Sequence, residues 1–137
     1  MENAAFRLKH YIFDKINLNF ENVNNDSTLV VDFKPSGEFE QAKGLFTLTF
    51  LFEANVDEFD EYVISVRCKA VFEFKEPLSL KDIPSFFYPN SIAILYPYVR
   101  AFVGTLSLQS NIKPIMLPTL NLSGLEGILR NQTRIVE

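Results

Sequence analysis

Apolar and polar residues alternate along four stretches in the first half of the chain, as in strands with one buried face. In the fourth stretch the apolar face runs unbroken from Tyr62 to Phe74, while Arg67 and Lys69 face the other way. One buried and one solvated face is typical of an antiparallel sheet. The second stretch is predicted to end at Pro35. We therefore predict four antiparallel strands, at residues 5–21, 28–34, 45–53 and 62–74.

The first of these stretches breaks its alternation twice. His10 and Asp14 interrupt the apolar positions, and Tyr11 and Phe13 fall on the polar side. This predicts either a bulge in the strand or a cover over its outer face. The residues predicted to face the core are Phe6, Leu8, Ile12, Ile16, Leu18 and Phe20.

A helical pattern begins at Asn90 and Ser91, two residue types that favour the N-cap position. Apolar residues then recur on two faces of the helix, separated by a narrow polar strip. Pro97 predicts a kink or a helix boundary near residues 93–96. The first face holds Ile92, Leu95, Tyr96, Val99, Val103 and Leu106; the second holds Ile94, Tyr98, Ala101, Thr105 and Leu108; the strip holds Ser91, Pro97, Arg100, Gly104 and Ser107.

A helix that is apolar nearly all round must be buried on two sides. One face is predicted to cover the sheet, and the other to meet a second subunit or, alternatively, a second layer within the chain. Arg100, Pro97 and Gly104 argue against a membrane span. The residues assigned to the oligomer interface are Ile94, Tyr98, Ala101, Val103, Thr105 and Leu108.

The last part of the chain predicts an extended linker and a short helix. Pro114 and Pro118 keep residues 112–120 extended. Ser123 followed by Glu126 matches a capping box at the start of the helix. The predicted fold is therefore α+β: a four-stranded antiparallel sheet with a long helix and a short C-terminal helix packed on one face.

Composition narrows the class of protein. The 137 residues fit one domain, 1–137, and 47% of them are hydrophobic, including 14 Phe. The net charge of −4 disfavours a nucleic-acid partner. The N-terminus lacks an apolar signal core and there is a single cysteine. We therefore expect a cytoplasmic protein in a reducing compartment, without membrane insertion.

Residues that could support catalysis are few. One His and one Cys are too few for a structural zinc site, and no glycine-rich phosphate loop occurs. A dyad of Cys68 and His10 is one alternative, but Cys68 lies within an apolar strand face, where an inert thiol is expected. A weak cation site in the acidic run at residues 57–61 is another. The sequence predicts neither an enzyme, a metal nor a cofactor.

Two segments resemble the SecB family of protein-export chaperones. Pro89-Asn90 and residues 95–100, Leu-Tyr-Pro-Tyr-Val-Arg, resemble the family's Pro-Asn and Leu-Phe-Pro-Tyr-Ala-Arg, with Ser91 to Ala93 as extra residues. Pro114 and residues 117–122 resemble the family's linker before its final helix. The first strand, which ends in Phe20-Glu21, and the order of the elements match across nearly the whole chain.

The resemblance implies a bacterial, ATP-independent holdase that binds unfolded or preprotein clients. It implies a homotetramer built as a dimer of dimers, with a dimer as the fallback. It also implies aromatic-lined grooves that bind extended clients. Each residue assigned to these grooves could equally be an ordinary core residue. The groove assignment comprises Tyr11, Phe13, Phe33, Phe39, Leu120, Leu122, Leu125 and Leu129.

In this family, carboxylates on the outer face of the sheet engage the basic tail of the SecA ATPase. The matching surface here carries Arg67 and Lys69, with neutral Asn17 near a family Asp and with Glu21 retained. Because like charges repel, we predict that coupling to SecA is weak or absent.

Two other functions remain open. One is a SecB-like chaperone dedicated to a single client, such as an antitoxin, with no role in export. The other is a carrier or enzyme for a small ligand in an α+β domain, which requires a closed pocket with converging ionisable groups.

Overall fold

A computed structural model describes residues 5–24, 26–57, 62–117 and 123–136. Five strands form one sheet in the order β1-β4-β3-β2-β5, with a long helix and a short helix beside it. The elements are β1 (Phe6–Leu18), β2 (Leu29–Glu40), β3 (Leu45–Val56), β4 (Tyr62–Phe74), α1 (Phe87–Gln109), α2 (Ser123–Asn131) and β5 (Thr133–Ile135). Short 3₁₀ turns lie at Gln41–Lys43 and Leu80–Asp82.

The fold class α+β and the antiparallel pairing of the four predicted strands are confirmed, but the sheet has a fifth strand that was not predicted. The sheet is mixed, because β5 pairs in parallel with Gly37–Phe39 of β2. The Gly37 N–H donates to the Gln132 carbonyl at 3.2 Å, and the Val136 N–H donates to the Phe39 carbonyl at 3.0 Å. A Cβ at Gly37 would overlap the buried Phe46 ring, so only glycine fits there. Three residues are too few to show a strand period in the sequence.

The second strand does not end at Pro35, as predicted, but continues to Glu40. Pro35 pairs with Phe50 of β3. Residues alternate in the direction of their N–H groups, and the Gly37 N–H points away from β3, toward β5. Pro35, two residues earlier, therefore also faces the outer edge, so its missing N–H removes no hydrogen bond to β3.

The bulge predicted in the first strand is confirmed, and there are two. The register between β1 and β4 shifts between Leu8 and His10 and again between Phe13 and Lys15. Lys9 and Asp14 are the extra residues, and each reverses the face of the residues that follow. Tyr11 and Phe13 pair with inward-facing Ala70 and Cys68, so they lie on the core side.

The same bulges overturn part of the first-strand prediction. Ile12 was predicted to face the core, but it pairs with outward-facing Lys69 and is 56% exposed. Ile16 and Leu18 do face inward, opposite Val66 and Ile64, yet each remains 40% exposed. The helix layer of this chain therefore does not fully cover that end of β1.

The long helix begins earlier than predicted and runs through Pro97 without a boundary. Its N-cap is Phe86, so Asn90 and Ser91 lie inside the helix. Pro97 and Ala93 are both exposed, so the carbonyl that Pro97 leaves without a helical partner can be hydrated. Ser91 and Ser107 were placed in the polar strip, but both are fully buried.

Much of the phenylalanine content is in the core, where Phe87 is the central ring. Its centroid lies 4.7 Å from that of Phe46, 4.8 Å from that of Phe6 and 4.9 Å from that of Phe74. These edge-on and tilted contacts are the favoured geometries of aromatic pairs. They fix the start of α1 on the inner face of the sheet.

Within the described residues, α1 is the one helix long and apolar enough to cross a membrane, with a mean hydropathy of 1.3. That criterion uses length and composition alone, and core helices of soluble proteins also meet it. Within this chain 39% of that apolar window is buried, including Ile92, Leu95, Val99 and Val103.

Candidate functional site

A concave, mainly apolar surface lies between the segment after α1 and the turns that join β1 to β2. We call it the linker groove. Its volume is about 360 Å³, and it is open to solvent. The walls are mainly apolar, and the polar lining residues are Asn24, Ser27 and Lys113. The apolar lining residues are Phe20, Val23, Leu29, Val31, Val63, Ile112, Pro114, Ile115, Met116 and Leu117.

One wall of the groove is positioned by the end of α1. Asn111 adopts a left-handed conformation with φ 59°, directly after the C-cap Ser110. The Ile112 N–H donates to the Ser107 carbonyl at 3.3 Å, and the Asn111 N–H donates to the Leu108 carbonyl at 3.0 Å. This is the bond pattern of a Schellman motif, which ends the helix and sets the direction of the linker.

A buried serine then holds the linker. The Ser107 hydroxyl donates to the Gly104 carbonyl at 2.9 Å and accepts from the Ile115 N–H at 2.9 Å. Ile115 and Leu117 are buried, whereas Met116 between them is 80% exposed. The linker thus behaves as an extended segment with one face in the core and Met116 presented to solvent.

The opposite wall is a series of turns. The Val23 N–H donates to the Phe20 carbonyl at 3.1 Å. The Asp26 N–H donates to Asn24 Oδ1 at 2.8 Å, and the Asn24 N–H donates to Ser27 Oγ at 2.9 Å. Side-chain bonds of this kind satisfy the backbone of a loop without regular structure. They leave Phe20 and Val23 half-buried beside the groove.

A second groove, of about 340 Å³, lies on the other side of the linker. It is formed by Pro97, Arg100, Ala101 and Gly104 of α1 with Ile115, Met116 and Leu117. Met116 therefore stands between two apolar depressions. A flexible thioether suits irregular apolar partners.

Six of the eight residues predicted to line a client groove fall into three groups. Phe39 and Leu129 are fully buried in the core, so the core reading is correct for them and the groove assignment is wrong. Phe33 and Leu125 are half-buried against the core, and the Phe33 ring lies 5.9 Å from Tyr96. Leu120 and Leu122 lie outside the described residues.

Tyr11 and Phe13 pack against α1, not in the linker groove. The Phe13 ring stacks on Phe102 at 4.0 Å with an interplanar angle of 9°. The Tyr11 centroid lies 4.6 Å from that of Tyr98. Both tyrosines remain exposed, at 39% and 43% respectively.

Sequence reasoning missed most residues of the linker groove. Phe20 was assigned to a strand face, and Met116 to an extended linker without a site. Pro114 had indicated that the linker is extended, and in an extended segment Ile115 and Leu117 share one face while Met116 has the other. That alternation was the available signal for a site beside the linker.

The predicted interface residues occupy the exposed face of α1, with one exception. Ile94 is 38% exposed and Leu108 is 62% exposed, and Ala101 and Thr105 are also exposed. Val103 is fully buried within this chain and has no surface to offer a second subunit. Its assignment to the interface is therefore wrong, and a charge at Val103 should unfold the chain.

The predicted motor-facing residues all lie near one side of the sheet. Arg67 and Lys69 point outward from β4, while Asn17 and Glu21 are exposed at the end of β1 and just beyond it. Arg67 donates twice to Asp14, from Nε to Oδ1 at 3.0 Å and from Nη2 to Oδ2 at 2.9 Å. This hydrogen bonding lowers the pKa of Asp14 and raises the pKa of Arg67.

The candidate dyad of Cys68 and His10 is not formed. Cys68 is fully buried on the inner face, and burial raises the pKa of its thiol to about 12. His10 pairs with Val71 on the outer face. The described residues contain no group of three or more His, Cys, Asp or Glu side chains arranged for a metal. Most of the acidic run at 57–61 lies outside them.

Comparison with known proteins identifies the fold. The chain superposes on the SecB-like chaperone Rv1957 of Mycobacterium tuberculosis, solved in complex with a ChAD peptide from the HigA1 antitoxin. The TM-score is 0.69 over 85% of this chain and 88% of that one, with 15% sequence identity. This chain has the SecB-like fold. At this identity the likeness establishes the architecture, not the activity.

Other similarities are more limited. A protein of unknown function from Streptococcus agalactiae matches 86% of this chain with a TM-score of 0.46 and 16% identity. An uncharacterised protein of Methanocaldococcus jannaschii is 39% identical over 62 residues, or 45% of this chain. The matched segment spans 39% of the length of that curated relative. No family model matches the chain.

Proposed function

We propose that this protein is a non-catalytic chaperone that binds unfolded polypeptide without ATP. The observation that carries the proposal is the SecB-like fold, with a TM-score of 0.69 to a SecB-like chaperone solved with a bound peptide. The linker groove supports it, because its walls are apolar and open. Apolar side chains exposed by an unfolded client are stabilised by burial in such a groove.

The geometry favours an extended client. The linker groove borders β2 at Leu29 and Val31. In the described part of the chain, β5 pairs with β2 only at Gly37–Phe39, so Leu29 and Val31 lie outside that pairing. An extended segment added at this edge would gain main-chain hydrogen bonds and place alternate side chains in the groove.

We also propose that the chain is an oligomer, a tetramer or otherwise a dimer, in solution. The exposed face of α1 carries Ile94, Tyr98 and Leu108, and nearby β1 exposes Ile16 and Leu18 from its inner face. Burying one such side chain contributes about 1.5–3 kcal/mol, so this surface favours association. Assembly would also fix the position of the grooves relative to one another.

Aggregation suppression tests the function directly. A chemically denatured client is diluted into buffer with an equimolar amount of this protein, with and without ATP. We expect equal suppression in both conditions, since no nucleotide is required. A matched reaction with Met116→Glu should suppress aggregation less, because it places a charge beside the linker groove in place of an apolar side chain. Aggregation that proceeds unchanged with the wild-type protein refutes the proposal.

A second candidate is a chaperone dedicated to one client. It is favoured by the peptide in the neighbouring structure, which comes from an antitoxin. The same assay distinguishes the two, using several unrelated clients. Suppression of all of them favours a general holdase, whereas selectivity for one favours the dedicated role. Coupling to the SecA tail is expected to be weak in either case, because Arg67 and Lys69 face outward.

A further inference from the structure

One half of the outer face of the sheet is basic, although the protein as a whole has a net charge of −4. The described outward-facing residues of β1 and β4 include five cations and two carboxylates, a surplus of three positive charges. We call this surface the basic face. Its cations are Arg7, Lys9, Lys15, Arg67 and Lys69, and its carboxylates are Asp14 and Glu73.

The two carboxylates are shared between cations, so they do not neutralise the basic face. Glu73 Oε1 accepts from Arg7 Nη2 at 2.8 Å, and its Oε2 lies 3.8 Å from Lys9 Nζ. Asp14 Oδ2 accepts from Arg67 Nη2 at 2.9 Å and lies 4.0 Å from Lys69 Nζ. Each cluster therefore keeps a surplus cation. The clusters depend on the two bulges, which supply Lys9 and Asp14.

An apolar side chain lies between the two clusters. Ile12 is directly opposite Lys69 on the outer face and is 56% exposed. A partner that buries Ile12 would bring its own charged groups close to Arg7 and Lys9 on one side and to Lys15 on the other, with Lys69 directly beside Ile12. Complementary charge there must be negative.

We propose that the basic face binds an acidic polypeptide segment in which carboxylates flank an apolar side chain. This surface is opposite to the face that α1 covers, so the partner would bind independently of the linker groove. A polypeptide fits better than a nucleic acid, because it can place an apolar side chain on exposed Ile12 among its charged groups, which a phosphate chain cannot.

The experiment is a fluorescence anisotropy titration of the full chain at low salt. The probe is a labelled synthetic peptide with glutamates on both sides of a central leucine. Its controls are the same peptide with lysine in place of glutamate, a single-stranded oligonucleotide and anionic lipid vesicles. The protein variants are Lys69→Glu, Lys15→Glu and Ile12→Ser, with Lys81→Glu as a control of equal charge change in the 3₁₀ turn at Leu80–Asp82. Thermal melts verify that each variant is folded.

We expect the glutamate peptide to bind and the lysine peptide not to bind. Lys69→Glu and Lys15→Glu should each raise Kd by roughly twofold to fivefold, the scale of exposed charge pairs, and Lys81→Glu should leave Kd unchanged. The lysine peptide should gain affinity for Lys69→Glu. Absence of glutamate-peptide binding, equal loss in Lys81→Glu, or tighter binding of the oligonucleotide or vesicles overturns the proposal.

Discussion

The two apolar faces of α1 have the same character in the sequence but opposite surroundings in the structure. Ile92, Leu95 and Val103 are fully buried against the sheet. On the other face, Ile94 is 38% exposed and Leu108 is 62% exposed. Helical periodicity identifies which residues share a face, but it does not state what covers that face. The difference shows that one face belongs to the fold and the other is available for association.

The largest expected difference between the faces is in stability. Leu95→Ala should lower the free energy of unfolding by about 2–5 kcal/mol, because it leaves a cavity in the core. Ile94→Ala on the exposed face should change it by no more than roughly 0.5 kcal/mol. Urea unfolding of the two variants at low protein concentration measures both values. Equal losses would show that the exposed face is also part of the fold of the single chain.

The oligomeric state should instead depend on the exposed face of α1. Leu108→Glu places a charge on the exposed face and should convert the oligomer to a monomer, while the helical circular dichroism signal stays unchanged. Gln109→Glu, at the next exposed position, serves as the control and should keep the oligomer. Light scattering gives the mass of each. A wild-type protein that is already monomeric at micromolar concentration contradicts this account of the face.

Buried Ser107 and exposed Thr105 allow a further comparison of the two sides of α1. Ser107→Ala removes the acceptor of the Ile115 N–H and should cost about 1–3 kcal/mol, because that buried donor is left unpaired. It should also weaken client binding, because it releases the linker that lines both grooves. Thr105→Ala, exposed on the other face, should change neither quantity. Unfolding and anisotropy titrations measure them, and equal effects of the two variants would refute the proposed role of Ser107.

Much of the fold could be predicted from the sequence, because a long periodic pattern identifies a buried face even where single residues depart from it. The predicted apolar face of β4 is confirmed from Ile64 to Phe74, because every second residue in this range is buried. The prediction for Ile12 failed because a one-residue bulge at Lys9 reverses the strand face, and nothing in the alternation fixes where a bulge falls. β5 was missed because three residues carry no period, and its partner site depends on Gly37.

The site was less predictable than the fold for a related reason. Phe39 was assigned to a groove because it is aromatic, but aromatic side chains are equally common in protein cores. The structure places Phe39 in the core, where it is fully buried. The linker groove is formed by segments far apart in sequence, from Phe20 to Leu117. Their proximity depends on the strand order and on the end of α1, neither of which a local pattern reports.

The smallest expected effect concerns the exposed charges of β1 and β4. The hydrogen bond from Arg67 lowers the pKa of Asp14 in the folded state. This pair therefore stabilises the fold above the ordinary pKa of an aspartate, and the contribution is lost as pH falls through the lowered value. Because the pair is partly exposed, we expect Asp14→Asn to cost less than about 1 kcal/mol at neutral pH.

Unfolding measured from neutral to acidic pH checks this prediction. The stability of Asp14→Asn should approach that of the wild type as the pH falls below the lowered pKa of Asp14. Asp32→Asn is a control at an exposed carboxylate on β2. A difference between wild type and Asp14→Asn that persists unchanged in acid would show that the Asp14–Arg67 pair is not its cause.

The most direct test of the central claim is site-specific photo-crosslinking to an unfolded client. A photoreactive amino acid at Met116 lies between the two grooves, and one at exposed Lys81 serves as the control. The account predicts that the unfolded client crosslinks to the Met116 position, that the native client does not, and that the Lys81 position gives little product. Crosslinking of the unfolded client equally at both positions, or only at Lys81, would contradict the assignment of the linker groove as the client-binding site.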